Sequence, residues 1–193
     1  SEFGSTKARQ APDLRSVIQC LEESAKPVVA AISGNCLGGG LELAMGAHYR
    51  VALADAQLGL PEVKLGLLPG AGGTQRLPRA LGLKKALNLI LSGRIVKAQE
   101  LAQDELLDEV VSSNVLEAAL KLAQKVVAID NPHKRLSARK VNYPGADAYL
   151  QFARDTVKAL NPHFPAPLQN LEAVAASVSL PFEQGMANER KLL

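Results

Sequence analysis

Two carboxylates sit in apolar surroundings. Glu42 lies in "CLGGGLELAMG", residues 36–46, directly behind three consecutive glycines, Gly38 to Gly40. Glu62 lies in "GLPEVKLG", residues 59–66, behind Pro61. Two such acids can divide acid and base duties, because different environments push their pKa values apart. The glycines admit another molecule close to the backbone. A helix starting behind them would offer unpaired N–H groups and partial positive charge to a developing anion. A plainer reading fits the same residues: a tight strand-to-helix turn, a dipole partner and a surface-loop acid. Spacing alone favours the plainer reading, and sequence separation does not show that the two acids meet. The glycines match neither GxGxxG nor a phosphate loop, since no Gly-Lys-Ser/Thr follows.

The elements that would position these residues can be read from periodicity. Residues 13–24, "DLRSVIQCLEES", have helical spacing with Asp13 as N-cap. "VVAAIS", residues 28–33, reads as a buried strand ended by Gly34 and Asn35. Helical spacing resumes at Leu41 and runs through "HYRVAL". Residues 56–82 hold six glycines and three prolines and read mostly as packed loop. Helices are expected over 84–92, closed by Gly93, over 97–111 into a short strand, and over 113–129. Residues 131–145 are polar and basic, a linker or surface loop, and "NPHFPAPLQ" is a rigid connector. Helices are also expected within 146–160, 170–180 and 181–193. The pattern is α/β first and helical in the last third.

The chain has 193 residues, enough for one domain with an appendage, and 47% of them are hydrophobic, enough for a packed core. Aromatic residues are only 4% and the net charge is +3, which argues against nucleic acid as a partner. No apolar run reaches membrane-spanning length. Cys20 and Cys36 have no ligand or redox spacing and read as small core residues, and the three histidines have no metal-ligand spacing.

Three stretches carry a resemblance: "KPVVAAISGNCLGGGLELAMGAHYRVA", "LGLPEVKLGLLPGAGGTQRLPRALG" and "LSGRIVKAQE". Together they resemble the enoyl-CoA hydratase (crotonase) family from about Lys26 to Val111. "HYR", "GADAYLQFARDTVKAL" and "PFEQGMANERKLL" are most similar to the crotonase part of multifunctional β-oxidation enzymes, in which a 3-hydroxyacyl-CoA dehydrogenase part comes next. The resemblance implies an α/β fold, a crotonase-type spiral of ββα units with the first units missing, followed by C-terminal helices. Residues 1–130 would be the C-terminal portion of the crotonase core. Residues 131–193 would be a helical region and linker towards the dehydrogenase part.

The resemblance also implies roles. Gly39 supplies one N–H of an oxyanion hole for a thioester oxygen. Glu42 activates water for attack at C3 of a 2-trans-enoyl-CoA, Glu62 delivers a proton to C2, and the Gly70 N–H helps to hold that water. Leu60, Pro61, Leu65 and Leu68 would line an acyl pocket, although core packing suits each nearly as well. Isomerisation is a compatible second reaction. The rivals are a crotonase that only isomerises and an acyl-CoA-binding scaffold without turnover. No metal or redox cofactor is implied for this part, and NAD belongs only to a later dehydrogenase part.

The family's other oxyanion N–H comes from an Ala/Gly-Gly-Ala-Asp type motif, which this sequence lacks. "SEF" at Ser1 is similar to the residues just after that motif in the family. The missing N-terminal segment is therefore an expected partner, and this chain alone is expected to be inactive. The compartment implied is bacterial cytoplasm, or alternatively a peroxisome, and the oligomeric state is left open. Glu105 stands where relatives usually carry glycine at a helix end. Arg76 and Arg79 read as structural ion-pair residues, His48 as a packed or hydrogen-bonded histidine, and Lys134, Arg135, Arg139 and Lys140 as a solvated basic cluster.

Overall fold

A computed structural model describes residues 12–193. The expectation for Ser1 to Phe3 lies outside the described residues. Helix α1, Leu14–Glu22, starts where Asp13 caps it, its carboxylate accepting the Ser16 N–H at 2.8 Å. Six strands then form two three-stranded sheets, the first four alternating between them. β1 (Val29–Ile32), β3 (Tyr49–Leu53) and β6 (Glu109–Val111) form one sheet, in the order β1-β3-β6, all parallel. β2 (Asn35–Leu37), β4 (Gln57–Gly59) and β5 (Val96–Lys97) form the other, with β2 parallel and β5 antiparallel to β4.

Each turn of the spiral places one strand in each sheet and then a helix. β1 and β2 lead to α2 (Gly39–Gly46), and β3 and β4 lead to α3 (Gly73–Leu81) and α4 (Leu83–Ser92). α5 (Val115–Val126) comes after β6 and packs on β1 and β3. α6 (Ala146–Leu160), α7 (Ala166–Ser179) and α8 (Phe182–Leu192) complete the chain. This is the crotonase-type α/β spiral that the sequence implied. α7 packs on α3 and α4, and its Leu171 and Val174 join the same hydrophobic core as Leu41, Met45 and Leu58.

Several local expectations are corrected. "HYRVAL" is not helical: α2 stops at Gly46, and Tyr49–Leu53 is a strand buried at four of its five positions. Continuous burial along a strand mimics a helix segment, since no alternation separates the two. Asn35 opens β2 rather than ending a strand. Residues 73–81, expected as loop, form α3 despite Pro78 in its last turn. Residues 97–111 hold β5, a single 3-10 turn (Ala98–Leu101) and β6, not a long helix. The connector 161–169 ends early, because α7 starts at Ala166 with Pro167 in its first turn, where proline is tolerated. Cys36 is buried as expected, but Cys20 is exposed on α1.

Two buried polar residues fix the spiral near the site. The Arg50 side chain donates from Nε to the Leu106 carbonyl at 2.6 Å and from Nη1 to the Ala44 and Ala47 carbonyls at 3.2 and 2.7 Å. It thereby stitches the end of α2 to the turn before β6. His48 Nδ1 accepts the Val28 N–H at 2.9 Å, so its proton sits on Nε2, which donates to the Glu22 carbonyl at 3.0 Å. This neutral tautomer suits a ring whose pKa burial lowers.

Candidate active site

The glycine triplet is a junction between strand and helix. Gly38 has φ 54° and ψ −128°, a conformation that side-chain-bearing residues avoid, and its N–H bonds to the Gly59 carbonyl at 2.9 Å. α2 begins at the next residue. Its first N–H groups have no intrahelical acceptor. Among the described residues, those of Gly39 and Gly40 also find no other partner.

One turn into α2, Glu42 is 3% exposed. Its Oε1 accepts the N–H groups of Ala71 and Gly73 at 2.8 and 2.9 Å. Burial raises its pKa, while the two N–H groups oppose the rise by favouring the charged form. Gly73 must be glycine, because an added Cβ would lie 2.9 Å from Glu42 Oε1 and 2.7 Å from Pro69 Cβ.

Glu62 stands on different ground. It sits on a single 3-10 turn, Pro61–Leu65, where proline presets the backbone and Gly66 closes the turn at φ 75°. Its Oε1 faces Gly38, where an added Cβ would approach to 3.1 Å. Its Oε2 is buried without a hydrogen-bond partner among the described residues. Desolvation, followed by the charge of Glu42, pushes its pKa up to about 7. The fold therefore brings Gly38, Gly39, Glu42, Glu62 and Gly73 together around the end of β2.

The remaining expected residues fall in different places. Gly70 starts the loop into α3; its carbonyl accepts from Arg15 Nε, and among the described residues its N–H is unpartnered. Leu60 and Leu68 are buried, Pro61 is half-buried, and Leu65 is 74% exposed. Arg76 pairs with Glu22 at 2.9 Å, as expected. Arg79 forms no such pair among the described residues: it donates to the Arg139 and Gln75 carbonyls and lies over the Phe182 ring. The basic cluster is largely engaged, with Lys134 on Asp108, Arg135 on the Glu22 carbonyl and Arg139 on Glu105. Glu105 takes the expected glycine's place without a positive φ.

One buried acid escaped sequence reasoning. Glu189 on α8 is 0% exposed. The signal was present: Phe182, Met186, Glu189 and Leu193 recur at spacings of four, three and four residues, which puts an acid on the apolar stripe of an amphipathic helix.

A spiral α/β fold holds N–H groups left without partners among the described residues at a glycine-led helix start, beside two glutamates with unlike surroundings, one buried and one half-buried; this is the arrangement expected of a crotonase-type protein. The family model "Enoyl-CoA hydratase/isomerase" matches residues 4–159. The chain belongs to that family. It is 44% identical over 180 residues to the peroxisomal bifunctional enzyme of Cavia porcellus, covering 93% of this chain and 25% of that protein. It is 42% identical over 176 residues to the glyoxysomal fatty acid beta-oxidation multifunctional protein MFP-a of Brassica napus, covering 89% and 24%. The chain thus spans about a quarter of the length of these relatives. Among solved structures, it resembles the enoyl-CoA hydratase from Bacillus anthracis at 30% identity and a TM-score of 0.62, covering 99% of this chain and 63% of that one. It also resembles Pseudomonas aeruginosa DspI at 38% identity and a TM-score of 0.61, covering 66% and 53%.

Proposed function

We propose that this chain carries the acid–base part of a 2-trans-enoyl-CoA hydratase acting in fatty-acid β-oxidation, with enoyl-CoA isomerisation as a second reaction. The observation that carries this reading is the unlike setting of two neighbouring glutamates, Glu42 buried and Glu62 half-buried with one buried oxygen. Glu42, held by two N–H groups, is suited to remain a carboxylate and to take a proton from water attacking C3. Glu62, with one unpartnered buried oxygen, is suited to hold a proton and deliver it to C2. The free N–H of Gly39, at the positive end of α2, is suited to the thioester oxygen as enolate charge develops. The free Gly70 N–H lies in the loop that also holds Glu42 and suits the attacking water. Leu60, Pro61 and Leu68 are offered as acyl contacts, and Leu65 as an outer one.

Water adds across C2–C3 without redox change, so a nicotinamide has no step here, and the reading assigns the oxyanion to backbone N–H groups and the proton transfers to the two glutamates. The names of the relatives support residence within a multifunctional polypeptide; an NAD-dependent dehydrogenase part elsewhere in it belongs to the proposal. They also support the peroxisomal alternative for location. The division at about residue 130 and a second oxyanion N–H from an N-terminal segment belong to the same proposal. Hydration of crotonyl-CoA by the full-length protein, followed by loss of thioester-conjugated absorbance, tests the reading. Turnover that collapses in Glu42→Gln supports hydration. Tight CoA-ester binding with no turnover in the unsubstituted protein would favour a scaffold instead.

A further inference from the structure

The donors that hold Glu42 are themselves held from the other side. Residues 70–74 run between two buried carboxylates that take alternate N–H groups. Glu42 takes Ala71 and Gly73, while Glu189 takes Gly72 at 2.9 Å and Thr74 at 3.2 Å. Glu189 also accepts the Thr74 hydroxyl at 2.5 Å and Arg15 Nη2 at 3.1 Å. Arg15, from α1, donates through Nε to the Gly70 carbonyl, tying the start of the loop to the same acid. α8 covers the loop further: an added Cβ on Gly72 would meet the Met186 sulfur at 3.0 Å, and one on Gly70 would meet Leu193 at 3.1 Å.

We infer that Glu189 is a positioning residue, which sets the Ala71 and Gly73 N–H groups so that Glu42 is aimed as the water-activating base. This rests on the proposed hydratase reading. Glu189 touches none of the reacting groups in that reading and acts through the loop. The groups facing it are Arg15 from α1, the charge of Glu42 from α2, and the Gly72 and Thr74 donors at the start of α3. All four of its bonded neighbours are donors, and each oxygen takes two of them. An amide in its place keeps one accepting oxygen and turns an N–H₂ towards the other pair. α8 keeps its packing, but the loop loses half of its anchor.

The test is Glu189→Gln in the full-length protein, with hydration kinetics and amide hydrogen exchange measured together. The expected result is a fall in kcat of about 10- to 100-fold with KM changed less than about threefold, as for a sub-ångström misplacement. Exchange at Ala71 and Gly73, whose N–H groups never touch Glu189, should accelerate at least about tenfold. Thr74→Val removes a single hydroxyl donor and should move kcat and the same two amides in the same direction by smaller factors. It decides the matter if Glu189→Gln does not fold. Unchanged exchange at Ala71 and Gly73 in a folded variant overturns the inference. A wild-type protein that does not hydrate enoyl-CoA overturns the proposed function instead, and the exchange comparison still decides whether Glu189 sets Glu42's donors.

Discussion

Glu42 and Glu62 occupy neighbouring regions with opposite physics. The Glu42 region is built from a helix start and a loop of outward N–H groups, so two charge-assisted bonds counter part of the effect of burial. The Glu62 region is a short 3-10 turn with few donors, so burial leaves one oxygen unpaired among the described residues. The same side chain thus meets a site that tolerates charge and one that resists it. In the proposed reading, the acid and base roles follow donor supply rather than depth, since Glu42 is the more deeply buried of the two.

The sharpest way to break this contrast is to remove either acid. Glu42→Gln and Glu62→Gln should each lower hydration kcat by about 10²- to 10⁴-fold in the full-length protein. Only Glu42→Gln should leave isomerisation of a 3-enoyl-CoA substantially intact, measured with separate substrates. Equal loss of both reactions in Glu42→Gln would erase the division of roles.

Crowding the donor loop comes next. Gly73→Ala puts a methyl group against Glu42 and Pro69, and overpacking of this kind costs about 1–3 kcal/mol. Denaturant melts and kcat should fall together, whereas Gly40→Ala, with no atom within 4 Å of an added Cβ, should change stability far less.

Titration sharpens the contrast further. Because the folded pKa of Glu62 is raised from 4.5 to about 7, the native state holds a proton that the unfolded chain releases. Its contribution is therefore fully favourable below about 4.5 and is lost as pH rises towards about 7. Glu189 is also raised to about 7, and burial raises Glu42 as well, so both add to the same slope and Glu62→Gln should flatten the fall in stability only in part. The hydration rate should decline above about pH 7 as Glu62 loses the proton it delivers, read from kcat/KM profiles.

The smallest effect is expected at the rim. Leu65→Ala removes a side chain that is 74% exposed and should shift KM for long-chain substrates less than about threefold without altering kcat. Leu60→Ala, fully buried against Gly73, should by contrast cost about 2–5 kcal/mol.

Much of this is legible in the residues alone. Asp13 as a cap, Gly93 as a helix end and the glycine triplet as a strand-to-helix junction all depend on neighbours within a few residues. α3 is not legible in that way. Its Gly and Pro content reads as loop, yet eight of its nine residues are buried. The partners that its polar side chains do find are distant in sequence, the Ala173 carbonyl for Gln75 and Glu22 for Arg76. For Glu189 the helical spacing marks an acid on an apolar stripe, but not what it bonds, because its loop donors lie 115 and 117 residues away.

The sequence by itself determined where backbone freedom is concentrated, which acids stand in apolar company and, through its motifs, the family. Only the tertiary structure decided that Glu42 would be matched with donors 29 and 31 residues on, and that Glu62 would be left with an unpaired oxygen. Backbone preference is local, but desolvation and donor supply are set by whatever the fold packs against a side chain.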